Sequence, residues 1–202
     1  MRILELFAGT GSIGKWARQN GHEVVSLDLD KKSGATHTCD IRMWDYMVYA
    51  PGYFDVCWAS PPCTQWSRCR TTGPPRDLEG ARGIVRKTLE IIDYLQPTIF
   101  YIENPQTGML KEQDIMAHLP YFDVDYCAFG YLYRKRTRIW SNIAKPNMTR
   151  LCGGLDCHAI VWSSTTRRYS HIATFGGIRN FSLAQKHSIP PDLVEYIMRL
   201  QQ

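Results

Sequence analysis

The sequence predicts an α/β domain, a mostly parallel sheet with helices on both faces. Two observations carry this. In the first half of the chain, short apolar runs with strand character alternate with stretches of helical periodicity. Gly9–Gly11, Asp28, Asp40, Cys63 and Glu103, which carry the most chemistry, fall along or just past the ends of such runs. Sheets of this kind bind ligands beyond the carboxyl ends of their strands, so these positions together predict a site on one edge.

The elements follow in order. Arg2–Phe7 reads as a first strand, and Glu5 inside it argues against a signal peptide. Gly9–Gly14 is a glycine-rich turn, and Ser12–Asn20 a helix stopped by Gly21. Glu23–Leu29 is a second strand, its polar end marked by Asp28. Phe54–Ala59 is a buried strand running into Ser60-Pro61-Pro62-Cys63. Ala81–Leu95 has the strongest helical spacing, with Ile84, Val85, Leu89, Ile91, Ile92 and Leu95 as its apolar side. Thr98–Ile102 is a strand ending at Glu103-Asn104-Pro105. Val124–Phe129 and Arg138–Trp140 read as strands around a basic turn. Lys145–Gly177 reads as irregular, and Leu193–Leu200 as a closing helix behind Pro190-Pro191.

Composition narrows the class. The 202 residues are 44% hydrophobic and 21% charged, which excludes disordered, collagen-like and coiled-coil chains. No run approaches the roughly 18 apolar residues of a membrane span. Lys and Arg number 24 against 19 Asp and Glu, a net charge of +5 that mildly favours polyanions. Seven cysteines without scaffold spacing predict free thiols in a reducing compartment.

Each motif admits a bland and a chemical reading. In Phe7-Ala8-Gly9-Thr10-Gly11-Ser12-Ile13-Gly14, glycines let a ligand approach the backbone and a helix N-terminus favours an anion. Asp28 is placed to accept from ribose hydroxyls. The G-x-G-x-x-G spacing leaves NAD and S-adenosylmethionine both open. Two prolines stiffen the chain before Cys63, which near cationic groups can act as a nucleophile rather than an inert thiol. Glu103 can sit beside that thiol and hold or donate a proton if partly desolvated. Arg134, Arg136 and Arg138 alternate onto one strand face and can grip a base carbonyl or a phosphate.

Taken in this order, the motifs resemble the cytosine-5 DNA methyltransferase family, above all its short phage or algal-virus members. The resemblance implies the S-adenosylmethionine-dependent methyltransferase (Rossmann-like) fold. It implies cofactor contacts from Phe7, Ala8, Gly9, Thr10, Gly11, Asp28, Leu29, Asp40, Ile41 and Pro61. It implies catalytic roles for Cys63, Glu103, Arg136 and Arg138. Cys63 would add to C6 of a cytosine flipped out of DNA, with Glu103 at N3 and the exocyclic amine. Arg136 would hold O2, and Arg138 would support the Cys63 loop or a phosphate. Thr64 stands where the family has glutamine, and Pro105 where it has valine. Trp66, Arg68 and Arg70 resemble the mobile loop that closes over the base, and Ser188–Leu193 the last motif, which returns to the cofactor pocket.

The same resemblance divides the chain into a catalytic part (1–140), a reduced target-recognition region (141–178) and a returning C-terminal segment (179–202). The middle region is far shorter than the family's usual recognition domain, and Arg179 is a candidate for its penultimate motif. Arg150, Arg167, Arg168 and Arg179 make it the expected DNA-facing element. Cys152, Cys157, His158 and His171 there could bind zinc, but the spacing is not that of a standard finger. No metal ligands are therefore assigned, and free cysteines and surface histidines are expected. DNA is the expected partner of a monomer or weak oligomer, without membrane association, in the cytoplasm (of the host, if viral). The alternatives are RNA or another pyrimidine as substrate, an inactive DNA-binding accessory protein, and a nicotinamide oxidoreductase.

Overall fold

The structure, a computed structural model, describes residues 1–164, 166–172 and 182–200. Arg179 lies outside the described residues. The elements are β1 (Arg2–Leu6), α1 (Ser12–Gln19), β2 (Glu23–Asp28), β3 (His37–Thr38), β4 (Val56–Ala59), α2 (Leu78–Leu95) and β5 (Ile99–Pro105), followed by β6 (Tyr121–Asp125), β7 (Arg136–Trp140), β8 (Ile160–Ser163), β9 (Arg168–His171), α3 (Leu183–His187) and α4 (Pro191–Arg199). Seven strands form one sheet in the order β3-β2-β1-β4-β5-β7-β6. β1 pairs in parallel with β2 and β4, and β4 with β5, while β7 runs antiparallel to both β5 and β6. No helix among the described residues is long and apolar enough to cross a membrane.

Both faces of the sheet are covered, as predicted. On one, Ile3, Val56, Trp58, Tyr101 and Ile139 meet Ile13 and Ala17 of α1 and Leu193, Val194 and Ile197 of α4. On the other, Leu4, Leu6, Cys57, Ile102 and Trp140 meet Val85, Ile91 and Leu95 of α2. Consecutive residues of each central strand thus supply opposite cores, which is why β4 reads as a continuous apolar run and β1 as one broken only by Glu5. Asp77 caps α2 by accepting from the Gly80 amide at 2.8 Å, and the helix stops at Gln96 in the left-handed region. α1 has no side-chain cap of its own. Instead the buried Glu5 carboxylate accepts from the Ile13 and Gly14 amides, both at 3.0 Å. α4 starts on Pro191, pre-set for a first helical turn, and buries four apolar side chains. At about 1.5–3 kcal/mol each, these dominate its docking over the hydrogen bond from Trp16 to Glu195.

Two expectations need correction, and one short strand was not anticipated. The strand expected over Val124–Phe129 ends at Asp125, and Tyr126–Phe129 is a 3-10 turn. Its aromatic residues are buried as a turn, so an apolar run there did not mean strand. The region expected to be irregular contains the β8–β9 hairpin, whose residues are too exposed to show a buried-face alternation. The two-residue β3 went unread.

Candidate active site

The site is built on the carboxyl ends of β1, β2, β4 and β5. At the end of β1, Phe7, Gly9 and Gly11 take φ values of 62°, 50° and 66°, a turn that glycine enters without strain. Ala8 is buried and its amide donates to the Leu27 carbonyl at 3.0 Å. Asp28, at the end of β2, accepts from the Gly9 amide at 2.7 Å through one oxygen and from the Asp30 amide at 2.7 Å through the other. It therefore fixes the loop. Leu29 beside it is 71% exposed. The Cys39 amide donates to the Asp28 carbonyl at 3.1 Å, which brings Asp40 to the same edge. Asp40 caps the turn Ile41–Met43 and is gripped by the Arg42 guanidinium, whose hydrogen bonds hold its carboxyl below the usual range. Ile41 points into the α2-side core.

A cleft of about 410 Å³ opens beside this loop, lined by Thr10, Ser12, Lys15, Tyr131, Ser188 and Ile189 among others. The C-terminal segment closes it: Ile189 donates its amide to Ser12 Oγ at 3.1 Å, and the Tyr131 and Ser188 hydroxyls are 2.7 Å apart. A left-handed glycine turn, an acid at the next strand end and a hydroxyl-lined cleft fit a nucleoside-type cofactor carrying an amino-acid tail. A hollow of similar size, about 430 Å³, lies at the opposite strand ends between Arg2, Glu23, Tyr53 and Asp55. It holds no nucleophile and none of the motif residues.

Cys63 follows β4. Pro61 is buried and its carbonyl accepts from the Asn104 side-chain amide at 2.9 Å, so the end of β5 holds the proline–cysteine turn. Trp66 is buried below the turn, donating its amide to the Cys63 carbonyl at 3.0 Å. Its own carbonyl accepts from Met109 at 2.9 Å, and a Cβ on Gly108 would meet the Trp66 carbonyl at 3.4 Å. The segment after it is tied down: Arg68 pairs with Glu112, and Arg70 donates to Gln65 and to the Pro74 carbonyl.

Glu103 is buried at the end of β5, where its Oε1 accepts from the Tyr126 hydroxyl at 3.1 Å and lies 3.4 Å from Lys135 Nζ. Burial and the Glu103 charge push the Tyr126 phenol well up, so its hydroxyl stays a donor. Burial, then the Glu103 carboxylate, also raise the Cys63 thiol, and Lys135 draws it down. Cys63, Glu103 and Lys135 thus form one electrostatic unit.

Arg136 and Arg138 stand elsewhere. Ile139 lies across from Glu103 and Arg138 across from Asn104, so strand alternation puts both arginines on the face opposite Glu103. Arg136 makes a two-point pair with the fully buried Asp125 (3.1 and 2.9 Å), and Arg138 another with Asp123 (2.8 and 3.0 Å) while lying over the Tyr121 ring. Sequence reasoning missed Lys135 and Tyr126: the lysine is hidden among arginines, and the tyrosine inside an apparent strand.

A second cluster lies next to this site. Cys152, Cys157 and His171 converge as the sequence suggested, but their fourth member is Cys127 and not His158. The ligating atoms of these four residues lie within 4.8 Å of one another.

A glycine turn and an acid at the first two strand ends, with a cysteine and a glutamate at the next two, define an α/β enzyme. It would hold a nucleoside-type cofactor and a second substrate across one sheet edge. The chain belongs to the C-5 cytosine-specific DNA methylase family, whose model matches residues 1–115. It is 36% identical, over 99% of its length and all of the relative's, to a Frog virus 3 protein described as "Probable DNA (cytosine-5)-methyltransferase". It is 26% identical to the type II methyltransferase M.AgeI of Thalassovita gelatinovora, over 52% of this chain and 28% of that protein. A Spodoptera frugiperda DNMT2 mutant aligns at 15% identity and a TM-score of 0.47, over 72% of this chain and 51% of that one. Family membership makes the chain a DNA (cytosine-5) methyltransferase by class and implies S-adenosylmethionine as methyl donor.

Proposed function

We propose that this edge methylates C5 of a cytosine in DNA through a covalent adduct with Cys63, on a base turned out of the helix. The observation that carries the reading is that Cys63 after β4 and the buried Glu103 at the end of the adjoining β5 meet at one sheet edge, where Asn104 holds the Pro61 carbonyl and Lys135 stands 3.4 Å from Glu103. Phe7–Gly11, Asp28, Leu29, Asp40, Ile41 and Pro61 would hold S-adenosylmethionine, which when bound supplies an electrophilic methyl group.

The chain's residues do the rest. Cytosine C5 is a poor nucleophile until a thiolate adds at C6. In the resting site burial and Glu103 keep the thiol protonated. When Glu103 takes a proton from solvent, donates it in a hydrogen bond to N3 and accepts from the exocyclic amine of the base, its push on the thiol falls while the pull of Lys135 remains. The thiol then loses its proton to solvent, Sγ bonds to C6, and N3 takes that proton from Glu103. C5, now enamine-like, accepts the methyl group. The C5 proton then passes to solvent, N3 returns its proton to Glu103, and Sγ departs as a thiolate that solvent reprotonates, which restores the aromatic ring and the thiol. Arg136 and Arg138 act through Asp125 and Asp123 by holding β6 against β7, and so place Tyr126 and Lys135. Turning the base out costs a few kcal/mol of stacking and pairing, which the basic region 141–178 helps to offset. Residues 1–140 are the catalytic part and 179–202 the returning segment.

Bisulfite sequencing of host DNA after expression tests the reading. The wild type should leave methylated cytosines, and Cys63→Ser none. DNA carrying 5-fluorocytosine should trap a covalent complex with the wild type, because fluorine at C5 cannot leave as the proton does. Methylation undiminished in Cys63→Ser would sink the assignment, and methylated RNA with unmodified DNA would change the substrate.

A further inference from the structure

We propose that Cys127, Cys152, Cys157 and His171 bind a structural zinc ion that fixes the β8–β9 hairpin to the catalytic sheet. Four separate pieces of chain bring the ligands together. Cys127 lies in the turn directly after β6, Cys152 in the loop after Met148, Cys157 at the end of the turn Gly154–Asp156, and His171 at the end of β9. His171 Nε2 stands 3.4 Å from Cys152 Sγ and 3.8 Å from Cys157 Sγ. Tetrahedral zinc with Zn–S of about 2.3 Å and Zn–N of about 2.0–2.1 Å places such sulfur–nitrogen edges near 3.6 Å. Three sulfurs and one imidazole are a zinc donor set, and four protein ligands leave no open position, which marks a structural site.

The surroundings explain why a metal is needed. Among the described residues from 150 to 172 only Ala159 is buried. Leu151, Leu155, Val161, Trp162 and Tyr169 are exposed. A two-stranded hairpin without a core is marginal in water, and small units of this kind are held by disulfides or metals. The cysteines are free thiols, and three thiols cannot pair among themselves without leaving one over. The scaffold behind the cluster is rigid: the Cys152 amide donates to Asp125 at 2.9 Å, and Asp125 is itself fixed by Arg136. Binding needs no oxidant. The ion takes three thiolates and a neutral imidazole, and the thiol protons go to solvent.

Metal content of the full chain, purified under reducing conditions without chelator, tests this independently of methyl transfer. One zinc per chain is expected, with three of the seven thiols shielded from alkylation until the metal is stripped. Replacement by Co²⁺ should give the thiolate charge-transfer and visible bands of a tetrahedral site. Cys157→Ala and His171→Ala should lose most of the zinc, while His171→Cys, which keeps four ligands, and His158→Ala should keep it. If the ligand variants fail to fold, the wild-type stoichiometry and cobalt spectrum decide. A folded wild type that takes up no zinc from added Zn²⁺, or zinc retained in full by both alanine variants, would overturn the proposal.

Discussion

Lys135 stands 3.4 Å from the buried Glu103 carboxylate, and its charge also acts on the nucleophile. Its charge opposes the two effects, burial first and Glu103 second, that raise the Cys63 thiol. Removing it should therefore move the alkaline rise of adduct formation on 5-fluorocytosine DNA to higher pH. Lys135→Met is expected to show that shift and Lys135→Arg to show little. Superimposable pH profiles for Lys135→Met and the wild type would remove the lysine from the mechanism. At this scale the sequence was legible wherever chemistry and spacing coincide. Cys63 follows two prolines, and Glu103 ends an apolar strand. Lys135 was not legible because it stands among arginines of the same charge, and only the pairing of β7 with β5 brings it to Glu103. Cys127 was not legible because no local spacing connects it to Cys152. Only the antiparallel return of β7 on β6 and the loop after it bring the two together.

The elements were read best where burial is two-sided. β1, β4 and β5 supply both cores, so their runs are mostly apolar, broken by Glu5 in β1 and by Glu103 and Asn104 at the end of β5, and their positions were plain. The β8–β9 hairpin supplies neither core, so its residues obey no pattern. Glu5 shows how an element can also carry a charge question. It caps α1 from inside β1, and its pKa is raised from 4.5 to about 7, chiefly by burial and against the two amide hydrogen bonds. The folded chain thus holds this proton more tightly than the unfolded chain. The stability it contributes is full below about pH 4.5 and is lost as the pH rises through 7, at most about 3 kcal/mol in all. Urea melts across that range should show the loss in the wild type. Glu5→Gln should flatten the slope, although its amide nitrogen, unable to accept, leaves one helix N–H unmatched and lowers stability at acid pH. Parallel pH slopes in the two proteins would exclude Glu5 as the titrating group.

At the scale of the molecule, the β8–β9 hairpin and the candidate site are linked through one turn, Tyr126–Phe129. The β8–β9 hairpin is rooted at the cysteine cluster, and Cys127 in that cluster adjoins Tyr126, whose hydroxyl touches Glu103. A ligand held at the root of the hairpin would therefore lie near Glu103. Its outer surface pairs Trp162 with Tyr169, ring centroids 5.1 Å apart and both more than half exposed, beside the exposed Arg167 and Arg168. Aromatic faces stack on unpaired bases and arginines neutralise phosphates, and the two contributions respond differently to salt. If the hairpin is the DNA-facing element, Arg167→Ala with Arg168→Ala should lower the slope of log affinity against log salt by about 0.9 per lost contact. Trp162→Ala should instead weaken binding by about 1–3 kcal/mol at every salt concentration and leave the slope unchanged. Fluorescence anisotropy on a labelled duplex with a central unpaired cytosine measures both quantities. Cofactor binding, distant from the hairpin tip, serves as the check on folding. A double arginine variant with the wild-type slope would place the phosphate contacts elsewhere. The basic turn around Arg134 would then be the surface to test, because it runs directly into Lys135 and the catalytic edge.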